Sequence, residues 1–282
     1  MKKFLIITDK HKIKRKSYLA DKVASFAEVT DIECEQVAVK IEAGKVEIWV
    51  GKHNIQDYGL IYFRRPSGCY LDLFKTVAAF CERQKINYIN KAWGNNQIGD
   101  KLYDLVRLAW EGLPVMPTVA CWPKVFKNAI VYPVIVKTLD GLGGEGVYLL
   151  ENQEQVEALP NRMYLFQKFY ENDGDYRLVV LGGKVEVVEL RTRVKDKYRN
   201  NAHLGGREVF LDLEKVPQKL IEIAEAASKV LNLQLSGVDI LVEQKTDKVW
   251  ILEVNKRPGF TSVADGSPEL PAVVEYFKKL LV

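Results

Sequence analysis

The stretch from Ser236 to Phe260, SGVDILVEQKTDKVWILEVNKRPGF, constrains the fold more than any other. Two apolar, β-branched runs, Val238 to Glu243 and Val249 to Asn255, flank the polar segment Gln244 to Lys248, which is the pattern of a β-hairpin. With Thr246 at the centre of the turn, Asp239 stands opposite Glu253. Asn255 shares the face of Glu253, because side chains alternate along a strand. Opposed residues in such a pair hold their Cβ atoms roughly 4.5–5.5 Å apart, so two carboxylates there repel unless a cation lies between them. Two carboxylates and an amide oxygen on a rigid scaffold suit Mg²⁺, whose remaining positions go to water or phosphate. Taken alone, the acid pair is explained more simply by a solvated hairpin with a polar rim. The residues upstream decide between the two.

The chain of 282 residues has room for about two domains of ordinary size. Hydrophobic residues make up 48% and charged residues 28%, the balance of a water-soluble globular chain with substantial cores. A net charge of +4 is mild beside the basic footprint of a nucleic-acid-binding domain; lysines and arginines needed to hold a polyphosphate ligand could supply the excess. Cys34, Cys69, Cys81 and Cys121 are scattered without a CxxC spacing, as expected of reduced, packed thiols in a cytoplasmic protein. The opening MKKFLIITDKHK is too short in apolar residues for a signal segment, and no run approaches the length of a membrane span.

Taken in order, Phe4 to Ile7 is a short buried strand, followed by the basic cluster Lys10, His11, Lys12, Lys14, Arg15 and Lys16. Such a cluster reads as a solvated surface or as a phosphate contact. Tyr18 to Phe26 and Leu71 to Cys81 have helical periodicity, Val37 to Ile41 and Val46 to Val50 form a hairpin about Ala43-Gly44, and Leu60 to Phe63 and Ile86 to Ile89 are strands. Arg64 and Arg65 follow a buried strand, where open α/β sheets present ligand-binding groups. They read either as a fork for a substrate carboxylate or as a surface pair.

From Ile98 the pattern changes: a helix opens at Asp100-Lys101, and Gly112-Leu113-Pro114-Val115-Met116-Pro117-Thr118 turns into a strand. The strand Tyr132 to Thr138 carries Lys137 near its end. Asp140-Gly141-Leu142-Gly143-Gly144-Glu145-Gly146 then leads into the strand Val147 to Leu150. Four glycines within six residues make a flap whose backbone N–H groups can approach phosphate oxygens. It is neither a Walker A sequence nor a dinucleotide-binding helix opening. Further on come a strand Met163 to Phe169, a hairpin of Leu178 to Leu181 and Val185 to Leu190 about Gly182-Gly183, and an amphipathic helix Pro217 to Leu231. The final helix, capped by Ser267 with Pro268 in its first turn, runs through Leu281.

Together these segments resemble the ATP-grasp superfamily, and within it the RimK-type carboxylate–amine ligases. The resemblance runs from Asp100 to Phe260 with the motifs in family order. Asp100-Lys101 and EGLPVMPT, VIVKTLDGLGGEGV, GDYR, the spacing from Arg177 to Arg191 and on to YRNN and LGG, and ILEVNKRPGF each have a counterpart. It implies an α/β fold with an N-terminal α/β unit over 1–96 and an ATP-grasp unit over 97–282. The latter divides into a central lobe, 97–166, and a metal-bearing lobe, 167–282. It also implies ATP as cosubstrate, with one or two Mg²⁺ ions (or Mn²⁺) on Asp239, Glu253 and Asn255. Lys101, Lys137, Gly141, Gly143, Gly144 and Gly146 are expected on the phosphates. Gln167, Lys168, Phe169 and Asp175 are expected toward the nucleoside, and Arg199 and Asn201 by the nucleotide. Arg177, Arg191 and Arg199 are the expected catalytic arginines, and Arg64, Arg65, Arg193 and Gly259 are candidates for substrate. Two departures stand out: Lys168 follows the hinge glutamine where glutamate is usual, and Lys256-Arg257 follow the metal strand. The implied partners are an amino acid or peptide carboxylate and an amine, with neither membrane nor nucleic acid involved. No self-association interface is identified. A small-alcohol kinase and a non-catalytic nucleotide-binding module are the alternatives on the same fold.

Overall fold

Alternate residues of the first strand feed two different cores, and this sets the layout of the molecule. The computed structural model describes residues 1–8, 18–64, 70–126, 131–139, 141, 146–192, 207–259 and 267–281; the basic cluster 10–16 lies outside them. In chain order the N-terminal elements are β1 (Lys3–Thr8), α1 (Tyr18–Val23), β2 (Glu28–Glu33), β3 (Val37–Glu42), β4 (Lys45–Val50), β5 (His53–Asn54), β6 (Leu60–Arg64), α2 (Leu71–Gln84) and β7 (Asn87–Ile89). β2, β1, β6 and β7 lie side by side as a parallel sheet. β1 is apolar on both faces, as a strand covered on both sides must be. Leu5 and Ile7 meet Phe63, Phe74, Val77 and Trp93 on the α2 side, while Phe4 and Ile6 face the rest of the chain. β3, β4 and β5 form a small antiparallel sheet, turning at Gly44 in the left-handed region (φ 75°).

The central elements are α3 (Lys101–Trp110), β8 (Thr118–Cys121), β9 (Val134–Thr138), β10 (Val147–Leu150), α4 (Gln153–Glu157) and β11 (Tyr164–Lys168). Their strands form an antiparallel sheet in the order β10-β9-β11-β8, covered on one face by Phe126, Val134, Val136, Val156, Tyr164 and Phe166. The remaining elements are β12 (Gly174–Leu181), β13 (Lys184–Thr192), β14 (Arg207–Leu211), α5 (Gln218–Val230), β15 (Leu235–Val242), β16 (Val249–Asn255) and α6 (Glu269–Leu281). They build an antiparallel sheet in the order β14-β13-β12-β15-β16. Leu220, Ile223, Ala224 and Ala227 of α5 pack on one of its faces against Leu178, Val188, Val238 and Ile240.

The opposite face of that sheet is divided. At one end Val179, Leu181, Val187 and Leu235 pack on Leu270, Val273 and Phe277 of α6, together with Phe4, Ile6, Leu60 and Tyr62 of the N-terminal sheet. The ring of Phe277 stands 5.2 Å from those of Phe4 and Tyr62. The other end carries charge. Two polar contacts fix the joint. Asn90, buried after β7, donates to the carbonyls of Leu235 (2.8 Å) and Lys256 (3.1 Å) and accepts from Leu235 N–H (2.7 Å). The turn 114–116 lies along β16, with Ile251 N–H donating to Pro114 and Met116 N–H to Ile251. Ser267 Oγ accepts from Glu269 N–H at 3.4 Å, the capping role expected of it.

Most expected elements are present within a residue or two. The strands that periodicity did not indicate, β2, β5 and β14, are all sheet edges. An edge strand with one polar face lacks the continuous apolar run that marks its neighbours: EVTDIE offers only Val29 and Ile32. Because Phe277 is fully buried where α6 joins the two sheets, Phe277→Ala is expected to cost about 3–5 kcal/mol. The loss is to be read as a lower urea midpoint; a change under about 1 kcal/mol would show that α6 is not what ties the sheets together.

Candidate active site

On the charged end of the C-terminal sheet, register alone lines up a row of ionic side chains across four strands. Glu189 on β13 pairs with Arg177 on β12, Arg177 with Asp239 on β15, and Asp239 with Glu253 on β16. Two residues along, Asp175 pairs with Arg191 and Arg191 with Glu208. The arginines converge on one carboxylate. Arg177 donates from Nε and Nη2 to Asp239 Oδ1 and Oδ2, 2.9 Å each. Arg191 Nη2 lies 3.1 Å from Asp239 Oδ2 and also donates to Asp175. Burial would raise the Asp239 carboxyl, but Arg177 and Arg191 outweigh it and hold it well below the usual range. The same contacts outweigh burial at both guanidiniums and raise them.

The expected opposition of Asp239 and Glu253 is present, and a β-bulge produces it. Ile240 pairs with Ile251, Asp239 with Glu253, so Leu252 is an extra residue on β16. Without that break in the alternation, Glu253 would fall on the face of Ile251, toward α5. With it, Glu253 and Asn255 join Asp239. Asn255 Nδ2 donates to Asp239 Oδ2 and to Glu253 Oε1, 3.1 Å each. Turned the other way, that amide presents its oxygen between two carboxylates, a donor set that fits a hard divalent cation. Among the described residues no three His, Cys, Asp or Glu side chains form a metal-ligating group. An amide completes this set instead.

The two lysines reach the same place from different elements. Asp100 caps α3 by accepting from Tyr103 N–H at 2.9 Å, which starts the helix at Lys101. Lys101 Nζ lies 3.8 Å from Glu253 Oε2 and donates to the Gly141 carbonyl at 2.7 Å. Lys137 is on β9, opposite Val147 and Leu165. Val134 and Val136 face the core of that sheet, so alternation puts Lys137 on its opposite face; burial lowers its ammonium, Glu253 pulls the other way and Lys101 adds to the lowering. Gly146 closes the β9–β10 hairpin with φ 70°, its carbonyl accepting from Thr138 N–H at 2.9 Å. A Cβ there would collide with the Thr138 hydroxyl.

The other expected site residues lie as follows. Asp175, expected toward a nucleoside, is buried and engaged by Arg191. Gln167 is buried with its amide donating to Thr118 Oγ1 at 2.9 Å, and Phe169 N–H donates to the Pro133 carbonyl at 3.0 Å. Lys168 is exposed over the Tyr170 ring, and Glu171 pairs with Lys245 at 3.2 Å. Arg64 ends β6, and Gly259 is exposed beyond the end of β16. Arg65, Gly143, Gly144, Arg193, Arg199 and Asn201 lie outside the described residues.

Sequence reasoning missed Glu189. It is 2% exposed, and among the described residues its Oε1 has no hydrogen-bond partner. Burial, then Glu208, to which it is hydrogen-bonded, and Glu269 push its carboxyl up to about 8, against the pull of Arg191. The signal was a glutamate in the apolar run VEVVEL, two positions before a site arginine.

Comparison with known proteins places this arrangement. A model of the RimK-like ATP-grasp domain matches residues 121–267. A "Probable alpha-L-glutamate ligase" of Psychromonas ingrahamii is 31% identical over 207 residues, 68% of this chain and 67% of that protein. The solved ATP-grasp ligase PsnB, complexed with minimal precursor, has a TM-score of 0.74 at 15% identity over 99% of both chains. D-alanine–D-alanine ligase from Bacillus anthracis, complexed with ATP, gives 0.66 at 15% identity over 100% of this chain and 96% of that one. At those identities the two structures speak for the fold. That fold is ATP-grasp. The chain belongs to the RimK-like ATP-grasp family and is an ATP-dependent carboxylate–amine ligase; the kinase and binding-module alternatives are not favoured.

Glu189 titrates on folding. Its folded carboxyl keeps a proton far above the ordinary value of 4.5, so its contribution to stability is full below about 4.5 and lost as pH rises through about 8. Glu189→Gln should flatten the fall in unfolding midpoint between about pH 4.5 and pH 8. An unchanged slope would place the titration elsewhere.

Proposed function

We propose that this ligase activates the carboxylate of an amino acid or peptide as an acyl phosphate and joins it to an amine on the charged face of the β12–β16 sheet. One observation carries the reading: two arginines, two carboxylates and an amide occupy a single face in register, with two lysines converging on it from separate elements. Residues 97–282 form the clasp, and 1–96 present Arg64 toward substrate. Lys101 and Lys137 neutralise the phosphates of ATP from two sides. The glycine segment 141–146 closes over them and keeps water out. Lys168 and Phe169 hold the nucleoside end through backbone groups. Asp175 acts through Arg191, fixing the direction of its guanidinium.

The substrate carboxylate attacks the γ-phosphorus, the bond to the β-phosphate oxygen breaks, and ADP leaves. The amine then attacks the acyl carbon, loses a proton and expels inorganic phosphate, which leaves the amide. Arg177 and Arg191, with Arg199, hold the transferred phosphoryl group and the oxyanion of the tetrahedral intermediate as preorganised donors. Asp239, Glu253 and Asn255 hold Mg²⁺, which when bound shields the γ-phosphate and draws charge from the departing ADP. L-Glutamate is the first amine to offer, since a relative is named as an alpha-L-glutamate ligase. A short peptide is the first carboxylate, since PsnB is seen with minimal precursor.

The test is ADP release from Mg·ATP with pooled carboxylates and hydroxylamine as surrogate amine. A hydroxamate is the expected product, and Asp239→Asn with Glu253→Gln should lower the rate at least about 10³-fold. ADP without hydroxamate would overturn the acyl phosphate, and wild-type turnover in the double variant would overturn the metal assignment.

A further inference from the structure

Lys256, one of the two departures noted in the sequence, turns away from the β16 face toward α3. Its Nζ donates to the Gly99 carbonyl at 2.8 Å and pairs with Asp104 Oδ2, both side chains almost entirely buried. Asp104 is one helical turn past Lys101, and Lys256 is three residues past Glu253. The first turn of α3 and the end of β16 are therefore joined by two rungs of opposite polarity. Lys101 on the helix faces Glu253 on the strand at 3.8 Å, and Asp104 on the helix faces Lys256 beyond the strand. The backbone of Lys256 is itself pinned, its carbonyl accepting from Asn90 Nδ2 at 3.1 Å.

We propose that Asp104 and Lys256 are a positioning pair that holds Lys101 at the phosphate site. The inference rests on the phosphate role proposed for Lys101. A lysine that leaves Glu253 for a phosphate gives up the first rung during turnover. The second rung does not involve the substrate, so the helix start keeps its distance from Asp239, Glu253 and Asn255 throughout the cycle. Its chemistry suits positioning better than stabilisation. Burial raises the Asp104 carboxyl to about 6 despite Lys256 and Arg107, and its Oδ1 has no hydrogen-bond partner among the described residues. A buried pair whose desolvation outweighs its attraction is readily replaced by apolar residues as far as folding is concerned. What apolar residues cannot supply is direction: Nζ is held between one carbonyl and one carboxylate, which fixes the helix both along its axis and about it.

The test is a binding cycle with Mg·ATP, read by calorimetry and accompanied by thermal melting, on Lys101→Ala, Asp104→Asn and the two combined. Asp104→Asn should weaken binding about tenfold when Lys101 is present and less than about twofold when it is absent, because its effect passes through that side chain. Asp104→Leu with Lys256→Met keeps the fold where a single change fails to, and should melt near the wild type yet bind nucleotide about tenfold more weakly. Lys256→Arg should bind within about threefold of wild type. Losses at Lys101 and Asp104 that multiply, or an apolar double variant that binds like wild type, would overturn the positioning role alone. Lys101→Ala binding as tightly as wild type would remove the phosphate role of Lys101, and the pair's role with it.

Discussion

A guanidinium pair clamped on one buried carboxylate is the contact on which the rest of the site depends. Asp239 sits on an inner strand of the charged row, and neither it nor Arg177 and Arg191 could be buried without the others, since an unpaired ion in that position costs several kcal/mol. The sheet register makes the pairing compulsory: Arg177 faces Asp239, Asp175 faces Arg191, and no rotamer search is needed to find them. Rigid donors aimed before substrate arrives are what stabilise developing charge at low reorganisation cost. The same rigidity means that a cation entering beside Asp239 meets a carboxylate whose two oxygens are already engaged by arginine.

The clamp needs a stiff platform, and the sheet has one because its two ends do different work. At one end of the site-bearing face, Val179, Leu181, Val187 and Leu235 are sealed by α6 and by the N-terminal sheet. At the other end the same face is left for charge. Asn90 and the 114–116 turn attach the N-terminal and central segments to the edges of β15 and β16, so the lysine-bearing elements are referenced to the strands that carry the carboxylates.

Much of this was legible in the sequence. The hairpin bearing Asp239 and Glu253, the pairing of β9 with β10 on either side of the glycine-rich segment, and the helix opening at Asp100 carry local signatures that hydrophobic period and turn chemistry express directly. Illegible were features that depend on distant partners. Asp175 read as a ligand group because nothing local shows that Arg191 lies directly across the next strand. Lys256 read only as a departure from the family pattern because its partner, Asp104, is 152 residues away in the chain. Glu189 sat unremarked in an apolar run, its neighbours Glu208 and Glu269 supplied by an edge strand and a terminal helix. β2 and β14 escaped for the reason edges often do, since half of each faces away from any core.

The extra residue at Leu252 has a consequence for how this hairpin tolerates changes of length. A strand that alternates strictly ties the identity of every downstream face to every upstream residue, so one lost or gained position turns all of them over. Here the alternation is already broken once, between Ile251, which packs toward α5, and Glu253, which faces the site. A chain lacking Leu252 would return to plain alternation with Ile251 still toward α5 and Glu253 still opposite Asp239. The bulge thus gives the strand one spare position: a single-residue deletion there is silent in phase, and its cost is confined to local twist.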